Sequence, residues 1–147
     1  MYKHLFVPVD GSELSHRAMD GSIELALQLG AKITGFVVEP DMPLSTISSD
    51  ATVATARMKE HESRNQNHSH ALLTQFEERA KTAGVSFAGL TVTAYAVDHA
   101  ILEEAEKAGC DMIVMITHGR GPLGEFVFGS HTKKIIARSK LPVLVLH

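Results

Sequence analysis

The sequence predicts an α/β fold, an open doubly wound sheet of five parallel strands with helices on both faces. Short, continuously apolar runs such as Met112 to Ile116 are typical of strands that are buried on both faces, as in parallel sheets. These runs alternate with amphipathic helical stretches, which indicates right-handed βαβ units. The length of 147 residues predicts a single domain that spans residues 1–147.

The first βαβ unit occupies residues 5–39. Leu5 to Val9 forms a strand, and Pro8 suits its carboxyl end, where a ligand can lie close and no ladder hydrogen bond is lost. Ser12 is the expected N-cap of the first helix, and Gly30 ends that helix. Lys32 to Glu39 is the second strand. The apolar face of the helix repeats every three or four residues and contains Leu14, Ala18, Ser22, Leu25 and Leu29.

The middle of the chain is less regular. Pro40 to Val53 is rich in Ser, Thr, Asp and Pro, and we expect a surface loop. A long helix is expected from Thr55 to Ala83, with a polar first half. Ser86 to Tyr95 alternates in part, which favours an edge strand. Asp98 is the expected N-cap of a short helix that ends at Gly109.

The last third of the chain contains its most distinctive stretch. The strand Met112 to Ile116 is followed by a glycine-rich turn and by a helix that we expect to begin with Ser130 as its N-cap. Ile135 and Ile136 supply the apolar face of this helix. Val143 to Leu146 is the last strand.

The glycines around this turn indicate an anion site. Gly119 and Gly129 allow backbone N–H groups to approach a ligand without an intervening Cβ. The following helix presents its N-terminal N–H groups and positive dipole end, and Ser130 adds a hydroxyl. Phosphate is the natural occupant, although glycine turns are also common without any ligand.

The same stretch resembles the universal stress protein family, and the resemblance covers essentially the whole chain. Nucleotide-binding members carry a glycine, two residues, a second glycine, nine residues, and then glycine followed by serine or threonine. Gly119, Gly129 and Ser130 match the later positions, and a Pro-Val-Leu-Val strand follows the helix as in the family. Ile116 stands where the first glycine is expected.

The resemblance also selects a sheet order. Periodicity leaves the flavodoxin-like order 2-1-3-4-5 and the order 3-2-1-4-5 open, and the resemblance implies 3-2-1-4-5, the adenine nucleotide alpha hydrolase-like arrangement. In that order strands 1 and 4 are neighbours at the topological switch point. Ligands of open α/β sheets bind there, beyond the carboxyl ends of the strands.

The resemblance implies an adenine nucleotide at this point. Pro8 lies at the edge of the site, and Asp10 accepts a hydrogen bond from the adenine, although the residue alone suggests an ordinary turn-former. Val37 contacts the base through its backbone, and Met115 packs on the base or ribose. Two further residues concern the phosphates. His131 can donate to them, whereas Ile116 either blocks the site or turns its side chain into the core and still donates its N–H. We expect the second arrangement.

The expected function is the binding of ATP in a stress-response role without dedicated catalysis, with AMP or ADP as alternative ligands and Mg²⁺ accompanying the phosphates. A nucleotide-free dimer that acts through protein partners and a slow ATP hydrolase are the alternatives. The resemblance implies a homodimer, and pairing of Val143 to Leu146 about a twofold axis would close an apolar sheet edge.

Composition excludes several other classes. The net charge of −3 gives no electrostatic basis for nucleic-acid or membrane binding. The N-terminus lacks the pattern of a signal peptide, and no apolar run approaches the ~20 residues of a membrane span. The single cysteine, Cys110, fits a reducing cytoplasm. His61, His68 and His70 are expected on a solvated helix face rather than in a metal site.

Overall fold

The computed structural model describes residues 1–41, 49–117 and 129–147. Its five strands form one parallel sheet in the order β3-β2-β1-β4-β5, which confirms the predicted fold class and strand order. The elements in chain order are β1 (His4–Pro8), α1 (Glu13–Leu29), β2 (Lys32–Pro40), α2 (Ala51–Ala83), β3 (Phe87–Ala94), α3 (Val97–Lys107), β4 (Met112–Ile116), α4 (Ser130–Arg138) and β5 (Val143–Leu146).

Two hydrophobic cores cover the two faces of the sheet. The helices α1 and α2 pack on one face, where Met19 and Phe76 are fully buried. The helices α3 and α4 pack on the other face, where Ile101 and Ile135 are buried against Phe6. Burial of strand residues toward both cores explains the continuous apolar runs in the sequence.

The switch point lies between β1 and β4. Leu5 pairs with Met112 and Phe6 with Ile113, so the two strands run side by side in parallel. Beyond the end of β1, the N–H of Val9 donates to the carbonyl oxygen of Phe36 in β2 at 2.8 Å. The carboxyl ends of β1, β2 and β4 therefore meet at one edge of the sheet.

The predicted loop from Pro40 to Val53 is wrong at both ends, because β2 includes Pro40 and α2 begins at Ala51. The carboxylate Oδ1 of Asp50 accepts hydrogen bonds from the N–H groups of Thr52 and Val53 at 2.9 and 3.3 Å. This is an ordinary side-chain N-cap, which satisfies N–H groups that have no intrahelical partner. Residues 42–48 lie outside the described residues.

Two other predicted helix starts are also wrong. Asp98 is the second residue of α3 rather than its N-cap, which is Ala96. Gly129 is the N-cap of α4, and Ser130 is the first helical residue. The predicted apolar face of α4 is half correct, since Ile135 is fully buried but Ile136 is 46% exposed. The reason in both helices is the same: the boundary is set by backbone conformation, and no side-chain cap hydrogen bond forms at either N-cap.

Ser12 occupies the predicted N-cap position of α1, without a side-chain cap hydrogen bond. The strands β3 and β5 lie at the two edges of the sheet. This confirms the edge position predicted for the third strand. No helix within the described ranges is long and apolar enough to cross a membrane.

Candidate functional site

A cavity of about 430 Å³ lies at the carboxyl ends of β1, β2 and β4, beside the start of α4. Seven of the nine predicted site residues line it, and they come from the two stretches that the sequence singled out: Pro8, Asp10, Met115, Ile116, Gly129, Ser130 and His131. Residues that are more than a hundred positions apart in sequence therefore share one cavity at the predicted switch point.

The other two predicted site residues are not among the described side chains that line the cavity. Gly119 lies outside the described residues. Val37 is 2% exposed, and its side chain belongs to the core under α1 and α2. In the described part of the chain, the cavity is lined instead by Phe36 and Val38, the sequence neighbours of Val37. This follows because successive side chains of a strand point to opposite faces of the sheet.

Asp10 is held at the end of β1 by two serines. Its Oδ1 accepts hydrogen bonds from the N–H of Ser12 at 3.0 Å and from the hydroxyl of Ser15 at 2.9 Å. The Ser15 oxygen in turn accepts from the N–H groups of Asp10 and Gly11, each at 3.0 Å. Asp10 is therefore a turn-former, and Ser15 is a site residue that the sequence reading missed.

These bonds set the charge of Asp10. Burial raises its pKa, but hydrogen bonds from the Ser12 hydroxyl and N–H and from the Ser15 hydroxyl outweigh burial and leave the pKa below the ordinary value of 3.8. Asp10 is therefore ionised at neutral pH. An ionised carboxylate can only accept hydrogen bonds, so this end of the cavity suits a donor group.

A side chain of α2 contacts the loop that carries Asp10. His68 Nε2 lies 3.4 Å from the carbonyl oxygen of Asp10. Gly11 has a φ of +81°, and a Cβ added there would come within 2.6 Å of the His68 ring. As predicted, His68 and His70 are exposed, whereas His61 is only partly exposed. His68 also packs on the loop. Among the described residues no group of three metal-ligating side chains occurs.

Apolar side chains also line the cavity. They belong to β2, α3 and β4 and pack in or against the core under α3 and α4: Phe36, Val38, Val97, Ile101 and Met115. Only Met115 of these was predicted. The sequence shows which residues are apolar, but not that these members of several elements surround one space.

A second polar part of the lining is the start of α4. The carbonyl oxygen of Gly129 accepts the first helical bond from the N–H of Lys133 at 3.1 Å. Gly129 has a φ of −56°, and a Cβ built on it meets no atom of the described residues within 4 Å. Neither backbone conformation nor packing against the described residues therefore requires glycine here. The helix terminus itself offers N–H groups and a positive dipole end.

Ile116 is an ordinary strand residue. It pairs in register with Leu146 of β5, and its side chain is partly buried against the core under α1 and α2 while also touching the cavity. No described residue other than glycine has a positive φ. Thr117, the next residue, is buried and lines the cavity, and the sequence reading missed it.

His131 has a carboxylate neighbour that no sequence pattern indicated. Its Nδ1 lies 3.6 Å from Oδ1 of Asp98, which is in the first turn of α3. Asp98 is 6% exposed, whereas the His131 side chain is 54% exposed at the cavity. The packing of α3 on α4 creates this pair.

Comparison with known proteins identifies the family. The sequence model of the universal stress protein family matches residues 1–147. The chain belongs to the universal stress protein family. Universal stress protein YxiE of Bacillus subtilis is 29% identical over 151 aligned residues, which cover 99% of each chain.

Solved structures of the family share the fold. A universal stress protein in complex with cAMP is 25% identical with a TM-score of 0.69, covering 99% of this chain and 97% of that one. A universal stress protein family protein from Arabidopsis thaliana with AMP bound is 16% identical, with a TM-score of 0.68. The match covers 98% of this chain and 90% of the Arabidopsis chain. The predicted family and fold are confirmed.

Proposed function

We propose that this universal stress protein binds an adenine nucleotide, with ATP as its ligand, at the carboxyl ends of β1 and β4. One observation carries the proposal: a single cavity is lined by an ionised carboxylate, a glycine-initiated helix terminus and a set of apolar side chains. A nucleotide has the matching kinds of groups, with a base that donates hydrogen bonds, an uncharged ribose and an anionic phosphate chain.

The base fits the Asp10 end. The exocyclic amino group of adenine is a hydrogen-bond donor, and the ionised Asp10 carboxylate is an acceptor. Phe36, Val38 and Met115 offer apolar surface for the faces of the base and for the ribose. The backbone of Val37 contributes the further base contact that the family resemblance implies.

The phosphates fit the α4 end. The N-terminus of a helix of nine residues presents N–H groups and a positive dipole end, which together favour phosphate. Gly129 leaves space for a phosphate oxygen, and Ser130 supplies a hydroxyl. In this proposal Gly119 and Ile116 add their backbone N–H groups, and Mg²⁺ accompanies the phosphates.

Ile116 is compatible with this ligand. Its side chain packs partly against the core under α1 and α2, as the inward arrangement requires. The relatives that hold cAMP and AMP support an adenine nucleotide as the ligand class. ATP rather than AMP or ADP is the proposed member of that class because a longer phosphate chain would use the glycine-rich turn fully.

The role we propose is regulatory rather than catalytic, in a cytoplasmic homodimer. Asp10, one of two titratable side chains on the described cavity wall, is engaged by serines rather than placed as a base. Cys110 is buried, and burial raises its pKa to about 11, so its thiol does not suit the role of a nucleophile. The half-buried apolar edge strand Val143–Leu146 supports pairing with a second copy.

Replacement of Gly129 by valine tests the phosphate contact. Because a Cβ at this position meets no described atom within 4 Å, the variant should fold with an unchanged circular dichroism spectrum. A branched side chain at the phosphate should weaken ATP binding by more than about tenfold, or about 1.4 kcal/mol. Calorimetric titration with ATP measures the loss, and Gly129→Ala should lose less.

Adenosine is the matched control ligand, because it carries the base and ribose without phosphate. Its affinity should be equal in the parent and in Gly129→Val. If ATP affinity survives the substitution, no phosphate lies at this turn. If neither ATP nor adenosine binds the parent protein, the proposed function itself is wrong.

A further inference from the structure

The carboxylate of Asp98 lies at the centre of a charged cluster between α3 and α4. Three side chains of α4 approach it: Nδ1 of His131 at 3.6 Å and Nζ of Lys134 at 3.8 Å from Oδ1, and a guanidinium nitrogen of Arg138 at 3.7 Å from Oδ2. These residues are spaced so that they share one face of the helix. Asp98 itself is 6% exposed.

The three side chains around Asp98 differ in what else they contact. Lys134 and Arg138 already provide opposite charge to Asp98. His131 is the member that also lines the nucleotide cavity. Its distance to Asp98 is just beyond a hydrogen bond, and such contacts in binding sites often shorten once the ligand is present.

We propose that Asp98 is a positioning residue for His131 and makes recognition of the nucleotide phosphates dependent on pH. This inference rests on the proposed function, because it requires an anionic ligand in the cavity. Asp98 acts through His131 and does not itself touch the ligand.

The chemistry of the imidazole ring gives the reason. A carboxylate beside Nδ1 selects the tautomer that carries its proton on Nδ1. In the neutral ring Nε2 is then an acceptor, which repels a phosphate oxygen. In the protonated ring both nitrogens donate, so Nε2, on the side of the ring away from Asp98, can bind a phosphate oxygen. His131 therefore becomes a phosphate ligand only on protonation.

Other charged groups around the ring leave this dependence in place. The described charged side chains that share the Asp98 cluster or the cavity wall with His131 are Asp98 on α3, Lys134 and Arg138 on α4, and Asp10. Hydrogen bonds hold the pKa of Asp10 below its ordinary value, so Asp10 is ionised throughout the neutral range. Histidine is the side chain that changes charge there.

The experiment measures ATP affinity by calorimetry at about pH 6 and about pH 8, on either side of the ordinary histidine range. The pH ratio is the ATP affinity at the lower pH divided by the ATP affinity at the higher pH. This ratio should be about threefold to tenfold larger for the parent than for His131→Gln. The factor is modest because solvent screens a half-exposed ring. The phosphate groups of ATP also titrate, but equally for every variant, so the difference isolates His131.

Two substitutions separate positioning from simple helix packing. Asp98→Asn should reduce the pH ratio toward that of His131→Gln, because the neutral ring can then carry its proton on Nε2 and donate to phosphate at the higher pH as well. Asp98→Glu should restore the ratio. Arg138→Gln is the matched control, since it removes a cation from Oδ2 and leaves the pair on Oδ1 intact. It should keep the parent's pH ratio, even if it lowers the melting temperature. The affinity for adenosine should be the same at both pH values in every variant.

The tautomer can also be read directly in the unaltered protein. Nitrogen-15 shifts of the His131 ring at about pH 8 should report the proton on Nδ1. A proton on Nε2, an Asp98→Asn variant with the full pH ratio, or a parent ratio equal to that of His131→Gln would each overturn the inference. ATP binding that is tight but independent of pH would leave the proposed function standing, whereas no ATP binding at either pH would overturn both.

Discussion

Replacement of Ile116 by glycine decides whether this chain departs from its family in function or only in sequence. The side chain of Ile116 is partly buried against the core under α1 and α2. Removal of a fully buried isoleucine side chain lowers stability by about 2–5 kcal/mol, so a partly buried one should contribute about 1–2 kcal/mol. Glycine adds about 0.5–1 kcal/mol through its backbone freedom in a strand.

The expected total is therefore about 1.5–3 kcal/mol. For a chain of 147 residues this corresponds to a melting temperature that is lower by about 5–10 °C. Ile116→Ala is the matched control, because it removes the side chain without the added backbone freedom, and its melting temperature should lie between those of the parent and the glycine variant. Scanning calorimetry measures all three.

ATP affinity is measured on the same proteins by titration. If the side chain of Ile116 turns inward, the parent binds ATP and the glycine variant binds it within about threefold, a difference below 1 kcal/mol. Binding that is absent from the parent and appears in Ile116→Gly would refute this reasoning, because the side chain would then block the site.

The remaining predictions concern the edge strand and the carboxylate. Lysine at both Val143 and Val145 should shift the protein toward monomer or insolubility, because it places charge on the half-buried edge strand; an unchanged dimer in sedimentation would place the interface elsewhere. Asp10→Asn should lower the urea midpoint at neutral pH. The Asp10 pKa is lowered on folding, so its contribution is present above its ordinary value of 3.8 and is lost as pH falls through the folded value. The two midpoints should therefore converge as pH falls below 3.8, and a constant difference would contradict the assigned hydrogen bonds.

The elements of this fold could be predicted from local sequence because their causes are local. The apolar run Met112–Ile116 is a strand as predicted. Gly30 and Gly84 end their helices in the left-handed conformation, with φ of +61° and +79°. Where local causes compete, prediction failed: Asp50 caps α2, whereas Asp98, an equally good N-cap by residue type, does not cap α3.

The sequence by itself determined the α/β class, the strands Met112–Ile116 and Val143–Leu146, and the position of Gly129 and Ser130 at the start of a helix. Only the tertiary structure decided which side chains meet. It placed Asp98 beside His131 and His68 over Gly11, and it turned Phe36 rather than Val37 toward the cavity. The physical reason is that hydrophobic periodicity records whether a residue is buried, but not against what. Contacts between distant elements depend on the order and register of the strands, which hydrogen bonds along the whole sheet fix together.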